Sequence, residues 1–198
     1  MVPAAVALIP VKGFRHAKER LAPALDGEAR SRLARDMATR VVAAAGPLPA
    51  LVLCDSEDVA TWADEVGAET LWCPGTGLNG AVAAGIDELR ARGVDRAVVA
   101  HSDLPLAGSL AWVVEWPGIT IVPDRRRDGS NVIGLPVSSD FRFAYGPGSF
   151  SRHLAEAQRL GLGLQVIRHP ELGWDVDDPA DLEVPVGLWA TAAAEPTP

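Results

Sequence analysis

Short apolar runs alternate with longer amphipathic segments along the first hundred residues. The run from Ala4 to Ile9 is continuous and apolar, which is typical of a short strand buried on both faces. From about Glu28 to Ala45, apolar residues recur every three or four positions, which predicts a helix, and Gly46 and Pro47 end it. The chain therefore opens with a strand, a basic loop and a helix.

The same alternation continues along the rest of the chain. It predicts strands at 50–54, 69–73, 96–100, 119–122, 132–135 and 164–167, and helices at 57–66, 78–90, 110–116 and 149–160. Strands that alternate with helices favour βαβ crossover units, and such units form a mostly parallel sheet with helices on both faces. The pattern predicts an α/β fold whose first hundred residues are doubly wound.

The length of 198 residues suits one domain with a single core and is too short for two catalytic domains. We see no internal repeat and no linker. We expect one domain over residues 1–190 and a flexible tail over the Ala-rich residues 191–198.

Composition narrows the function classes. The net charge of −8 disfavours a nonspecific nucleic-acid surface, and no apolar run approaches the roughly 18 residues of a membrane span. The apolar N-terminus has neither a preceding basic segment nor a credible cleavage site, so we interpret it as a core strand and expect a cytoplasmic protein. Cys54 and Cys73 follow predicted strands and are expected to be buried thiols.

Basic residues are concentrated in the loop after the first predicted strand. Ligands of open α/β sheets bind beyond the carboxyl ends of the strands, and this loop holds Lys12, Lys18 and Arg20. Several cations in one such loop can hold a triphosphate, although a solvated basic loop is an equally good interpretation.

Acidic residues follow two other predicted strands. Asp103 comes directly after the strand at 96–100, and Asp175 and Asp177 point to the same side if the backbone there is extended. Such carboxylates suit Mg²⁺, whereas a turn-capping role is the alternative for Asp103. Asp178 before Pro179 is interpreted as a helix cap.

Two polar loops and several isolated side chains complete the candidates. The loops are 128–131 and 145–149, where glycines permit close approach to a ligand and Ser149 opens a helix with donors for an anion. We expect structural hydrogen bonding from His101 and His153. Arg125, Arg126 and Arg127 are expected to form a solvated turn, with contact to a phosphate as the alternative.

Taken together and in order, the motifs resemble the 2-phospholactate or phosphoenolpyruvate guanylyltransferase family of coenzyme F-420 biosynthesis, whose fold is Rossmann-like. The resemblance covers about residues 4 to 183, and no single motif decides it. The matching stretches are 10–12 (PVK), 17–23 (AKERLAP), 102–105 (SDLP), 128–131 (DGSN), 145–150 (YGPGSF), 152–153 (RH), 175–179 (DVDDP) and 181–182 (DL).

The resemblance implies transfer of GMP from GTP to the phosphate of a three-carbon acid, usually phosphoenolpyruvate in bacterial members, with a product handed to the next transferase. By position, it implies that Ser130, Gly146 and Ser149 bind the acceptor and that Asp103, Asp175 and Asp177 hold one or two Mg²⁺ ions. In such a reaction Lys12, Lys18 and Arg20 would steady the departing pyrophosphate. Asn79 is expected near the guanine, although a helix-starting turn is at least an equally good interpretation.

One departure and several alternatives stay open. The family commonly has Thr where this chain has Ser130, so the hydroxyl is kept but the acceptor is less certain. The acceptor could be 2-phospho-L-lactate or a phosphoglycerate. A protein of another class, a catalytically silent nucleotide-binding or scaffold domain, would not need the acidic residues, and the tryptophans leave a homodimer possible.

Overall fold

The computed structural model describes residues 4–184 and shows one seven-stranded sheet with four α-helices. The expected tail at 191–198 lies outside the described residues. The strands are β1 (Ala5–Pro10), β2 (Ala50–Cys54), β3 (Glu69–Trp72), β4 (Arg96–Ala100), β5 (Ile119–Pro123), β6 (Ser130–Pro136) and β7 (Leu164–Val166). The helices are α1 (Gly27–Ala44), α2 (Glu57–Glu65), α3 (Gly77–Ala91) and α4 (Ser149–Leu160).

The strand order is β3-β2-β1-β4-β6-β5-β7. All neighbours pair in parallel except β6, which runs antiparallel to both β4 and β5. Because β6 is reversed, it begins at the sheet edge where β4 ends, and the His101 N–H donates to the Asn131 carbonyl at 2.9 Å. This reversal brings Ser130 beside the loop that carries Asp103.

Helices cover both faces of the sheet. Side chains alternate along β1, so Ile9 faces the layer of α1 and α2, which includes Trp62, while Leu8 faces the layer of α3 and α4, which includes Val82. Each face thus has its own buried apolar cluster. The predicted α/β architecture is confirmed, and the strands and α-helices agree with the predicted ones within two residues.

The predicted helix at 110–116 is wrong in type. The structure has one 3₁₀ turn there, Ala111–Val114, which buries Leu110 and Val113. Gly108 before this turn and Pro117 after it leave room for little more than one turn, because proline disfavours helical geometry in the residue before it. The basic loop also contains two 3₁₀ turns, Phe14–His16 and Glu19–Leu21.

Two other expectations, on membrane spans and on the cysteines, can be compared with the structure. Within residues 4–184, every helix is too short or too polar to cross a bilayer. Cys54 and Cys73 are free and buried, as predicted.

Candidate active site

A cavity of about 650 Å³ opens at the carboxyl edge of the sheet, where β1, β2 and β4 end. Residues from six separate parts of the chain line it, and four of these parts follow β1 to β4, because parallel strands deliver their following loops to the same edge. The cations and acids among them include Lys12, Lys18, Arg20, Asp103 and Asp177.

The basic loop is anchored to α2. Phe14 is buried with its ring edge-on to Trp62 at 5.4 Å, and its N–H donates to the Asp58 carboxylate at 3.2 Å. Gly13 packs so closely that an added Cβ would lie 2.9 Å from the Ser56 hydroxyl. These contacts keep the loop, with Lys12, Lys18 and Arg20, at the rim of the cavity.

The Lys18 side chain joins two distant acidic residues. Its Nζ lies 2.6 Å from Asp103 Oδ2 and 3.1 Å from Asp177 Oδ1, although these residues are 85 and 159 positions away in sequence. Burial alone would lower the pKa of Lys18, but the two carboxylates outweigh it and the pKa lies above its ordinary value. Burial opposes ionisation of Asp103 too, yet Lys18 and His101 hold its pKa below the usual value. The three groups therefore form a charged cluster.

Asp175 is close to this cluster but does not line the cavity. Burial raises the pKa of Asp175, and repulsion from Asp103 and Asp177 adds to the rise. Oδ1 of Asp175 and Oδ1 of Asp103 are both buried without a hydrogen-bond partner. Asp175 Oδ1 lies 3.7 Å from the Arg125 guanidinium, which is an ion pair without a hydrogen bond, and buried carboxylate oxygens that lack hydrogen bonds are costly.

The structure contains no preformed metal cluster of three acidic, histidine or cysteine side chains between residues 4 and 184. Instead, the cation between Asp103 and Asp177 is the Lys18 ammonium. The Lys18 ammonium therefore holds Asp103 and Asp177 together and offsets their negative charge.

The segment that carries Asp175 and Asp177 is held by Asp181, which is fully buried. Asp181 Oδ2 accepts the N–H groups of Asp177 and Asp178 at 2.9 and 2.8 Å. Its Oδ1 accepts from both Arg125 and Arg126, with the Arg126 contact at 2.9 Å. This carboxylate therefore closes the segment into a tight loop.

Arg125 corrects one expectation and Asp178 confirms another. The predicted solvated turn is wrong for Arg125, because its guanidinium lies 4.2 Å from the Trp174 ring and donates to the Asp175 carbonyl at 3.1 Å. Sequence reasoning missed this because three consecutive arginines show no periodicity. Asp178 caps the 3₁₀ turn Pro179–Leu182 as predicted.

The three predicted acceptor residues lie at the starts of β6 and α4, next to the cavity lining but not part of it, and both serines are buried. Asp128 joins their two loops, since its carboxylate accepts the Gly148 N–H at 3.1 Å and its carbonyl accepts the Phe150 N–H at 2.9 Å. The Ser149 N–H donates to the Gly146 carbonyl at 3.0 Å, so this amide is engaged within the loop. Gly146 has φ +118°, which favours glycine.

His153 joins the acceptor loops to α4. Its Nδ1 lies 3.0 Å from Ser130 Oγ, and its Nε2 accepts the Ala144 N–H at 2.9 Å. Burial lowers the pKa of His153 to about 4. The predicted structural hydrogen bonding of this histidine is confirmed.

Tyr145, the first residue of the 145–149 loop, packs against His101, which follows β4. Their ring centroids are 5.0 Å apart, and both the Tyr145 hydroxyl and His101 Nε2 are buried without a partner. His101 lines the cavity. Sequence reasoning missed Tyr145, and the unpaired hydroxyl could be found only in three dimensions.

Asn79 has both ends of its amide bound to the backbone of Tyr145. Its Oδ1 accepts the Tyr145 N–H at 2.7 Å, and its Nδ2 donates to the Tyr145 carbonyl at 3.3 Å. Asn79 therefore fixes the acceptor loop against α3, and its expected contact with guanine stays a prediction.

Comparisons with known proteins show which family the chain belongs to. The family model described as "Guanylyl transferase CofC like" matches residues 5–186. A phosphoenolpyruvate guanylyltransferase of Sphaerobacter thermophilus is 35% identical over 187 residues, which cover 90% of each chain. A 2-phospho-L-lactate guanylyltransferase of Methanothermobacter thermautotrophicus is 33% identical, covering 89% of this chain and 81% of its own length.

Solved structures support the fold alone. The crystal structure of a putative nucleotide-diphospho-sugar transferase from Desulfovibrio desulfuricans superposes with a TM-score of 0.74 at 16% identity, covering 91% of this chain and 85% of the other. Since the family model spans nearly the whole chain and the relatives exceed 30% identity, this chain belongs to the CofC-like guanylyl transferase family.

Proposed function

We propose that the protein transfers GMP from GTP to phosphoenolpyruvate, releasing pyrophosphate and forming enolpyruvyl-diphospho-guanosine for coenzyme F-420 biosynthesis. The observation that carries the proposal is the Lys18 bridge to Asp103 and Asp177 inside a cavity large enough for a nucleotide. This bridge places Lys18, which we assign to bind phosphate, next to two of the acids that we assign to the nucleotidyl-transfer reaction. The names of the relatives supply the choice of GTP and phosphoenolpyruvate.

The triphosphate would bind at the basic rim of the cavity. Lys12, Lys18 and Arg20 all line it, and the arginine can form forked hydrogen bonds while the lysines act as point charges. The same cations would stabilise the negative charge that grows on the departing pyrophosphate. Lys18 would exchange its carboxylate partners for phosphate oxygens.

The residues present fit Mg²⁺, and we assign Asp103, Asp175 and Asp177 to hold one or two ions. Two buried carboxylate oxygens without a hydrogen bond and the raised pKa of Asp175 support this assignment, because Mg²⁺ takes few carboxylates while keeping water and phosphate oxygens. When bound, the ion offsets the negative charge of the phosphates.

The reaction needs little proton chemistry. The acceptor phosphate has a second pKa of about 6 and is largely dianionic at neutral pH, so no general base is required. One of its oxygens attacks the α-phosphorus of GTP, a P–O bond forms, and the bond from the α-phosphorus to the bridging oxygen breaks. Pyrophosphate leaves with that electron pair. The protein orients two anions, with Ser130, Gly146 and Ser149 assigned to hold the acceptor.

Pyrophosphate release tests the proposal. With GTP and Mg²⁺, phosphoenolpyruvate should give the highest kcat/KM among phosphoenolpyruvate, 2-phospho-L-lactate and 3-phosphoglycerate, and ATP or CTP in place of GTP should give little. No pyrophosphate from any acceptor, together with measurable GTP binding, would contradict the proposal and favour a silent nucleotide-binding domain.

A second candidate acceptor is 2-phospho-L-lactate. The relative from Methanothermobacter thermautotrophicus carries that name at 33% identity, and the two acids differ by few atoms. The same assay separates the two, because a higher kcat/KM with 2-phospho-L-lactate would assign that acceptor.

The substrates are small and water-soluble, so we place the enzyme in the cytoplasm. A homodimer and transfer of the product to the next transferase stay predictions.

A further inference from the structure

The protonation state of the His153 ring is determined by its two partners. The Ala144 N–H donates to Nε2 at 2.9 Å, so Nε2 carries a lone pair and no proton. A neutral ring must then carry its proton on Nδ1. The low pKa of His153 agrees with a neutral ring over the range in which enzymes work.

This tautomer decides how Ser130 takes part in hydrogen bonding. The protonated Nδ1 donates to Ser130 Oγ at 3.0 Å, so the serine oxygen acts as an acceptor there. A hydroxyl also has one proton to donate, and nothing in residues 4–184 accepts it. Ser130 is fully buried, where an unused donor is costly.

The His153 ring cannot readily reorient. It is fully buried, and the rings of Phe141, Phe143 and Tyr145 surround it with centroids 5.7, 6.4 and 4.9 Å away. Aromatic packing of this kind fixes the plane of the ring. The direction of the bond to Ser130 is therefore constant.

We propose that His153 is a positioning residue that makes the Ser130 hydroxyl a donor directed at an anionic oxygen of the acceptor. The inference rests on the proposed role of Ser130 in acceptor binding. A hydroxyl already accepting from Nδ1 presents its proton to a carboxylate or phosphate oxygen, and that charge-assisted bond favours an anion over a neutral group. His153 would thus contribute to specificity without touching the substrate.

Two substitutions of His153 distinguish the hydrogen bond made by Nδ1 from the one made by Nε2. In His153→Asn, the side-chain NH₂ replaces Nδ1 as the donor to Ser130, while the acceptor for Ala144 is lost. In His153→Gln, the side-chain oxygen replaces Nε2 as the acceptor for Ala144, while the donor to Ser130 is lost. Each variant therefore loses one hydrogen bond of His153 and keeps the other, so each serves as the control for the other.

We expect His153→Gln to raise the acceptor KM about tenfold or more, the scale of one hydrogen bond to a charged group, with the GTP KM unchanged. His153→Asn should keep the acceptor KM within about threefold. Ser130→Ala should raise the acceptor KM at least as much as His153→Gln does, and adding His153→Gln to it should produce no further change.

The outcomes distinguish this inference from the proposed function. If Ser130→Ala weakens acceptor binding but His153→Gln does not, or if His153→Gln acts equally in the Ser130→Ala background, the inference is wrong and the acceptor site stands. If Ser130→Ala leaves the acceptor KM unchanged, the acceptor role of Ser130 is wrong and the inference fails with it.

A measurement on the unmodified protein covers the case in which a variant does not fold. The ¹⁵N shifts of His153 at pH 7 should show a protonated Nδ1 and a bare Nε2. The reverse tautomer, or a charged ring, would overturn the inference.

Discussion

Asp175 is a residue at which folding and catalysis have opposite requirements. Its raised pKa means that the folded protein binds a proton there more tightly than the unfolded chain does. As the pH rises above the ordinary pKa of an aspartate, ionisation of Asp175 therefore lowers the free energy of unfolding. Asp175→Asn should leave Tm unchanged or higher while lowering kcat by about 100-fold or more.

The control for this prediction is Asp64→Asn, which removes an exposed carboxylate on α2 and should change neither quantity. Thermal unfolding and steady-state kinetics at saturating Mg²⁺ provide both measurements. Near-normal turnover in Asp175→Asn would show that the metal role is wrong.

The lowered pKa of His153 predicts that the folded protein loses stability in mild acid. Its pKa falls from about 6.5 in the unfolded chain to about 4 in the folded protein, chiefly because it is buried. Its contribution is complete above the unfolded pKa and is lost as pH falls from about 6.5 towards 4, by about 3 kcal/mol in total. Urea unfolding at pH 7 and pH 4.5 should show this loss in the wild type.

The comparison with His153→Gln isolates that contribution. Burial also lowers the pKa of His169, so the wild type loses stability from both histidines in the same range. The variant should lose about 2 to 3 kcal/mol less than the wild type between the two pH values. An equal loss in both proteins would contradict the assignment.

At the scale of an element, the loop from Gly173 to Leu182 depends on one buried carboxylate. Asp181 neutralises Arg125 and Arg126 and accepts two backbone N–H groups, so Asp181→Asn leaves Arg126 without its carboxylate partner and Arg125 with only the 3.7 Å ion pair to Asp175. We expect a loss of about 3 kcal/mol, at the lower end for a buried pair because both arginines are partly solvated. For a chain of this size, Tm should fall by roughly 10 °C.

Turnover should fall as well, because Asp175 and Asp177 lie on the loop that Asp181 closes. The matched control is Glu28→Gln, which breaks the exposed ion pair with Arg32 on α1 and should cost no more than about 0.5 kcal/mol. A normal kcat in a destabilised Asp181→Asn would show that the loop does not position the acids.

At the scale of the whole molecule, cations converge on the cavity although the chain has a net charge of −8. A ligand that binds only the folded state stabilises it by mass action, by about 2.7 kcal/mol at 100 times its Kd. GTP with Mg²⁺ should therefore raise Tm by roughly 5 to 10 °C. ATP at the same concentration should raise it less.

Lys12→Met should reduce this shift, since Lys12 lines the cavity, whereas Arg32→Met on the exposed part of α1 should not. Equal shifts with GTP and ATP would contradict recognition of guanine. No shift with either nucleotide would mean that the cavity is not the nucleotide site.

Local pattern was sufficient for most of the elements. Apolar runs and helical periodicity depend only on neighbouring residues, and they predicted the strands and α-helices within two residues. The 3₁₀ turn at Ala111–Val114 was the exception, because the eight mostly apolar residues between Gly108 and Pro117 have no distinctive period. The ordered motifs were also sufficient to identify the family.

The sequence by itself thus determined the α/β class, the family and the residue types available for chemistry, because these depend on local periodicity and on motifs in fixed order. Only the tertiary structure decided their partners. Lys18 meets Asp177 across 159 positions, Arg125 meets Asp181 across 56, and His153 meets Ser130 across 23. Strand order and the reversal of β6 create these contacts, and no local pattern encodes which strand pairs with which.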